Sequence, residues 1–386
     1  MKAPITVLAG ICLCVVSLAC SFTGKIADAR ADGGSRGQKV RAVASNLGAP
    51  ARQDWRLGTS VTFKNLTVFP VLSDESAASV ELITLDEGLR SGKVKITEMG
   101  ADGRSRTVNR RQIGDSAEVN RLALTNNSGK PLVLIAGEMI LGGKQDRIVG
   151  HDCIFESTNT PVPVDVFCVE HGRWSGDVSF GQGRGSASGG GSGEGSGAGS
   201  DVRVEARAVA PMALPNVREK AQAKKNQNEV WGAVAETVTV TSSASSTGDL
   251  NSVYKDKRVN KQLEDYERAF KGKLSENNII GVVAAVGGKI ISADVFGNRS
   301  LFQIYWPKML KSYALEAVST TTASAQQVSK TDAEAFLARV QGTGASGGNE
   351  GVYRLAENQS GDAASFELEY TKKNSRLVHF NRVAKQ

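Results

Sequence analysis

Residues 279–296 read IIGVVAAVGGKIISADVF, two apolar runs set either side of Gly287-Gly288. Short runs rich in Val and Ile and bounded by glycine fit β-strands, and a two-glycine connection is a strong hairpin signal. The spacing predicts an antiparallel pair, Ile279 to Val286 with Lys289 to Phe296. Asp294 interrupts the second run, and strand alternation predicts that it faces outward. Just upstream, Val259, Leu263, Tyr266 and Phe270 recur at spacings of four, three and four. That places them on one helical face, with Gly272 ending the helix. Downstream, Pro307 suits the first turn of a helix carrying Met309, Leu310, Tyr313 and Ala317. Trp231, Trp306 and Tyr313 read as core aromatics.

Toward the N-terminus the pattern is mostly β. Val61, Phe63, Leu66, Val68 and Phe69 lie in β-favouring company, and Val94 to Met99 alternates like a half-buried strand. Leu122-Ala123-Leu124 and Leu132 to Ile135 flank the turn-like Asn126-Asn127-Ser128-Gly129. Val162 to Val169 reads as another strand, with its prolines at the entrance. Thr84-Leu85-Asp86-Glu87 has the spacing of a capping box and opens a short helix. Residues 181–200 (GQGRGSASGGGSGEGSGAGS) hold too little apolar surface to offset their chain entropy and read as a disordered tether. Beyond 320, a helix precedes three short strands near Val352, Phe366 and Leu377. The expected fold is α+β and β-rich: antiparallel, sandwich-like sheets in the first half, an α/β second half and a small C-terminal α+β appendage. Its parts are a flexible lead-in (30–56), a main domain (57–318) interrupted by the tether, and a C-terminal extension (319–386).

Composition fits a globular chain, with 40% hydrophobic and 23% charged residues. The net charge of +7 is scattered. Its dense groups, Arg104/Arg106/Arg110/Arg111 and Arg218/Lys220/Lys224/Lys225, lack the interleaved aromatics of a nucleic-acid surface, so no nucleic acid is expected as a partner. Met1-Lys2, the apolar stretch Ile5 to Ala19 and Ala27-Asp28-Ala29 have the layout of a bacterial-type signal peptide cleaved near Ala29. The apolar stretch is too short to span a membrane, so no transmembrane segment is expected in the mature chain. The expected location is secreted or periplasmic. Ser17-Leu18-Ala19-Cys20 offers a second reading, a lipoprotein anchored at Cys20, although Ser17 stands where a lipobox usually carries Leu, Val or Ile.

Two segments concentrate groups capable of chemistry. The first is GEMILGGKQDR (137–147). It fails as a phosphate loop, because Glu138 stands where the first glycine is needed and Gln145 where Ser or Thr is needed. What remains is a glycine pair followed by an amide (Gln145), a carboxylate (Asp146) and a guanidinium (Arg147). The second is CVEHGRW (168–174), with Glu170, His171, Arg173 and Trp174 in close succession. If the two segments meet around a solvent-reachable hollow, Arg147 and Arg173 would bind an anion and Glu138 or Glu170 would serve as catalytic base. The alternative is a set of ion pairs that fixes the fold. Cys153 and Cys168, the two cysteines outside the leader, fit a disulfide in an oxidising compartment, a zinc site with His151 and His171, or two free thiols. No cofactor is indicated.

Together these segments resemble the ARG and rhodanese-phosphatase-superfamily-associated domain, in which ARG abbreviates ADP-ribosylglycohydrolase. So do Trp231, Tyr266 to Phe270, Gly287-Gly288-Lys289 through Asp294-Val295-Phe296, and Trp306 to Ala317 (WPKMLKSYALEA). The resemblance spans about residues 57 to 318. The family has no settled activity; its name implies association with ADP-ribose and NAD-using systems. By position it singles out Glu138, Gln145, Asp146, Arg147, Glu170, Arg173 and Trp174. The leader, the glycine-rich insertion and the C-terminal extension depart from its pattern. The function expected is an exported ligand-binding or interaction module whose Glu/Arg rim engages an anionic or nucleotide-derived small molecule, or a partner. Alternatives are a hydrolase of a phosphorylated or ADP-ribose-like compound and a structural cell-envelope protein.

Overall fold

In a computed structural model, Gly287 and Gly288 take φ of 56° and 79°. A tight two-residue hairpin needs that left-handed pair, and Ile279–Val286 folds back on Lys289–Phe296 as the sequence predicts. The structure describes residues 55–74, 80–99, 120–143, 145–171, 211–245, 247–274, 276–321, 327–338, 343–347, 351–372 and 374–385. The leader, the lead-in up to residue 54 and the tether lie outside them.

The first half holds β1 (Arg56–Leu57), β2 (Val61–Phe63), β3 (Leu66–Leu72), β4 (Ile83–Thr84), α1 (Leu85–Arg90), β5 (Val94–Glu98) and β6 (Arg121–Asn126). It continues with β7 (Leu132–Leu134), β8 (Met139–Ile140), β9 (Arg147–Val149), β10 (Cys153–Phe155) and β11 (Thr158–Cys168). The second half begins with α2 (Pro215–Glu219), which runs into a π-helical turn at Lys220–Lys224. Then come α3 (Gln227–Val240), α4 (Leu250–Lys255), α5 (Lys257–Phe270), the hairpin strands β12 and β13, α6 (Arg299–Ser319) and α7 (Lys330–Leu337). The chain closes with β14 (Thr343–Gly347), β15 (Tyr353–Ser360), β16 (Ala363–Tyr370) and β17 (Arg376–Ala384).

A nine-stranded antiparallel sheet runs β1-β3-β12-β13-β17-β16-β15-β14, with β2 added on β3. A five-stranded sheet runs β5-β6-β11-β9-β8, and a three-stranded one, β10-β7-β4, contains a parallel pair, β4 with β7. The fold is α+β and β-rich, as expected. Local signals hold at several places. Thr84 caps α1, its hydroxyl accepting from Glu87 N at 3.4 Å. Val259, Leu263, Tyr266 and Phe270 form the buried face of α5.

Three expectations need correction. The C-terminal strands are not an appendage: β17 pairs with β13 from Ser292↔Val383 to Phe296↔His379 and so lies inside the large sheet. Local pattern marks a strand but does not name its neighbour, and β13 needs a second partner for its outward-facing backbone groups. Nor does Asp294 face outward, for it is fully buried. One face of β13 packs Ala293 and Val295 against Phe69, Val71, Leu337 and Phe380. The opposite face, carrying Ser292, Asp294 and Phe296, meets α2 and α6. Finally, Pro307 lies inside α6, which begins two turns earlier under an Asn298 cap that accepts from Leu301 N at 3.0 Å. The ring removes one helical hydrogen bond, and burial of the flanking turns offsets that loss. No helix of the described residues is long and apolar enough to cross a membrane.

Candidate functional site

Two of the predicted segments do meet. Strands β9 and β11 pair with Cys168 opposite Arg147, so the residues preceding β9 lie against those following β11. Gln145 Nε2 donates to the Glu170 carbonyl at 2.7 Å, and Asp146 N donates to Glu170 Oε2 at 3.1 Å. Val169 N donates to the Asp146 carbonyl at 3.0 Å. A third segment, which sequence reasoning missed, closes the group. Leu250 N donates to the Val169 carbonyl at 3.1 Å, and Asn251 Nδ2 donates to Asp146 Oδ2 at 3.1 Å. Asp146 Oδ1 accepts from Gly142 N at 2.7 Å, which pins the glycine loop to its own carboxylate. Gln227, at the start of α3, acts as a substitute strand partner: its amide accepts from Cys168 N at 2.9 Å and donates to the Cys168 carbonyl at 2.8 Å.

Arg147 is not presented to solvent. It is 1% exposed and forms a two-pronged pair with Glu98, at 3.1 and 3.2 Å, while donating to the Gln145 carbonyl at 2.9 Å. Gln145, Asp146 and Glu170 are buried as well. The partly open members of the group are Asp249, which caps α4 through Asn251 N and Ser252 N, and the exposed His171, whose ring meets Trp231 edge-on at 4.6 Å. Burial, reinforced by the Asp146 and Glu170 carboxylates, pushes the Asp249 carboxyl up to about 7, against the pull of the two backbone donors it caps.

Glu138 belongs to a different group, deep between the sheets and α6. Its carboxylate accepts from Ile135 N at 2.8 Å, Lys308 Nζ at 2.8 Å and the Tyr305 hydroxyl at 3.3 Å. Lys308 Nζ also lies 2.6 Å from Asp86. Burial opposes the Lys308 charge, but the two carboxylates outweigh it and hold the amine in its charged form. One ammonium cannot balance two carboxylates, and burial pushes up the pKa of Glu138, the more deeply enclosed of the pair. The adjacent Gly137, at φ 85°, brings backbone against Arg218; a Cβ there would sit 2.6 Å from Arg218 Cγ.

Arg218, from one of the two dense basic groups of the sequence, is fully buried on Asp294, at 2.6 and 3.3 Å. Asp294 also accepts from the Tyr313 hydroxyl, Ser292 Oγ at 2.8 Å and Asn381 Nδ2 at 2.9 Å. His379 Nε2 approaches it at 3.3 Å, an ionic contact without good hydrogen-bond alignment. His379 Nδ1 meets Asp152 at 2.6 Å, and Asp152 in turn accepts from Ala136 N at 2.8 Å. Burial works against the imidazolium, yet the two aspartates raise the His379 pKa to about 9. Burial likewise opposes the Asp294 charge, and Arg218 and His379 overcome it, holding the carboxyl well below the usual range.

Arg173 and Trp174 lie outside the described residues. The cysteine pairing is corrected: Cys153 and Cys168 are free, buried thiols. Cys153 stands opposite Leu134 in the three-stranded sheet, whereas Cys168 stands opposite Arg147 in the five-stranded one. Burial raises both thiol pKa values, despite the Arg147 guanidinium beside Cys168. Zinc finds no support either, since among the described residues no three His, Cys, Asp or Glu side chains are grouped to hold a metal.

A family model for the ARG and Rhodanese-Phosphatase-superfamily-associated Protein domain matches residues 54–383, and the chain belongs to that family. The match takes in the C-terminal strands, in keeping with their place in the large sheet. Comparison with curated proteins and with solved structures gives no match.

Proposed function

We propose that this member of the family is an exported binding module, and that its ligand contacts the rim where residues 141–143, 145–147, 168–171 and 249–251 close on one another. One observation carries the reading. Three segments distant in sequence are locked together by buried side chains, and the lock leaves a partly open carboxyl, Asp249, poised near neutral pH beside the exposed His171. On this reading Gln145, Asp146, Arg147 and Glu170 support the rim and do not touch the ligand. A site needs that kind of rigid backing to hold its contact groups in place. Contact falls to Asp249 and His171, and to Lys144, Arg173 and Trp174, which neighbour the rim in sequence.

Carboxylates with Lys144 and Arg173 close by in sequence suit a nucleotide-derived sugar phosphate. Its hydroxyls donate to carboxylates and its phosphates pair with Arg or Lys. The poised Asp249 also favours a second reading, in which it acts as general acid or base in hydrolysing such a ligand. Glu138, sealed against Lys308 and Tyr305, has no role at the rim in either reading.

Thermal unfolding with ADP-ribose, NAD, ribose 5-phosphate or inorganic phosphate tests the proposal, because a ligand that binds the native state raises its melting temperature. ADP-ribose is expected to raise it, and Arg173→Ala to abolish the rise without lowering the ligand-free value. If none of the four compounds moves the transition, the rim reading fails. Product analysis by chromatography separates binding from hydrolysis. Export rests on the leader: mass spectrometry of the mature chain is expected to find a start just after Ala29, whereas an acylated Cys20 would replace cleavage with anchoring.

A further inference from the structure

We infer that the π-helical turn at Lys220–Lys224 encloses ordered water, bound between the side chains of Glu219 and Gln222. Turns of this kind are rare and recur at functional sites. Here the turn joins α2 to α3 and closes at Lys225, whose φ of 52° is left-handed although the residue is not glycine. Its outer side is pinned to β15. Gln359 Nε2 donates to the Ala223 carbonyl at 3.0 Å, and Lys225 Nζ meets Glu357 at 2.9 Å. Its inner side is polar yet sealed, with Glu219 0% and Gln222 1% exposed. Among the described residues, neither Glu219 oxygen accepts a hydrogen bond, and both ends of the Gln222 amide lack a partner. Buried polar atoms are nearly always satisfied, and a bare one costs more than an ordinary hydrogen bond contributes. Glu219 and Gln222 stand three positions apart, a spacing that makes side chains neighbours on a helical turn. One small molecule can serve both.

Size, charge and hydrogen-bonding pattern fix its class. Both side chains are closed off from solvent, so the occupant is small. Lys220 Nζ lies 2.8 Å from Glu219 Oε2, an ion contact that leaves the pair neutral and calls for no further charge. The Gln222 amide offers a donor and an acceptor together, whereas the Glu219 carboxylate only accepts. Water is small and neutral, and it both donates and accepts. A metal ion cannot accept from Nε2, and a simple anion cannot donate to Glu219. The site is separate from the rim, and neither inference depends on the other.

The test is a crystal structure at a resolution that shows ordered water, with a second crystal soaked in rubidium chloride. Density is expected at about 2.7–3.2 Å from Gln222 Nε2 and from a Glu219 oxygen, with no anomalous rubidium signal there. In solution, oxygen-17 relaxation dispersion counts the waters that the folded protein holds back from bulk exchange. Gln222→Met keeps the length of the side chain and removes both polar ends, and it should lower that count. Should this variant fail to fold, the wild-type density decides alone. A dry site, with the two side chains paired to each other, would overturn the proposal. So would rubidium bound between them, or an unchanged water count in folded Gln222→Met.

Discussion

The rim and the interior are built from the same side chains and differ in how their charges are closed. In the interior, Arg218, Asp294, His379 and Asp152 alternate in sign, all fully buried, and the aspartates keep His379 charged to about pH 9. At the rim, the Arg147–Glu98 pair is buried too, with Glu98 nearer solvent, but Asp249 stays partly open and half-titrated near neutrality. Alternating, sealed charge specifies one arrangement of strands and helices and does nothing else. A carboxyl left near its midpoint, within reach of solvent, can exchange a proton or a hydrogen bond with something that arrives.

The sharpest way to break this comparison is Arg218→Met. It leaves Asp294 without its guanidinium in the centre of the large sheet, and stranding one partner of a buried pair costs about 3–5 kcal/mol. Urea unfolding is expected to show a loss of that size. A loss below about 1 kcal/mol would mean that the interior network does not hold the fold.

His379 gives the next effect, and its sign is fixed. Its pKa is raised from 6.5 to about 9 on folding. The stability it contributes is therefore complete below about pH 6.5 and is lost as pH rises through about 9. The shift corresponds to roughly 3 kcal/mol. Wild-type unfolding free energy should fall across that window more steeply than that of His379→Asn. Parallel pH profiles would show that the buried imidazole is neutral.

Arg147→Met tests the supporting role given to that residue. With Glu98 left stranded near the rim, a loss of about 2–3 kcal/mol is expected, somewhat less than in the interior because Glu98 is nearer solvent. Adding Glu98→Leu should recover most of it. If the double variant recovers its stability but no longer responds to ADP-ribose, Arg147 is a ligand contact and the division between support and contact falls.

Parts of this arrangement were legible in the sequence. Strand ends followed by glycine and polar residues marked 137–147 and 168–174, and the residues just before β9 and just after β11 converge because those strands are neighbours. What stayed hidden was non-local. Nothing near Glu98 announces Arg147, 49 residues away, or near Arg218 announces Asp294, 76 residues away. Two-residue alternation tells which side chains share a face but not whether that face is covered. Asp294 did carry a signal that was misread. Its sequence has apolar residues at both parities, Ile291, Ala293 and Val295 at odd positions and Ile290 and Phe296 at even ones, the mark of a strand covered on both sides. Asp249 and Asn251 fall where a helix cap is expected, and capping alone gave no reason to look for a rim there.

Asp249→Asn carries the smallest effect and bears most directly on the comparison. Asn caps a helix about as well as Asp, so α4 keeps its start. The wild-type carboxyl has its pKa raised on folding from 3.8 to about 7. It therefore costs the native state progressively more as pH rises from about 4 to 7, and the cost is complete above that range. At pH 8 the Asn variant should be more stable than wild type, by on the order of 1–2 kcal/mol once partial exposure is allowed for. At pH 4 the two should nearly coincide. A variant less stable than wild type at pH 8 would mean that Asp249 is ionised and paired, which would make the rim a sealed ion group like the interior and leave it no poised carboxyl to offer a ligand.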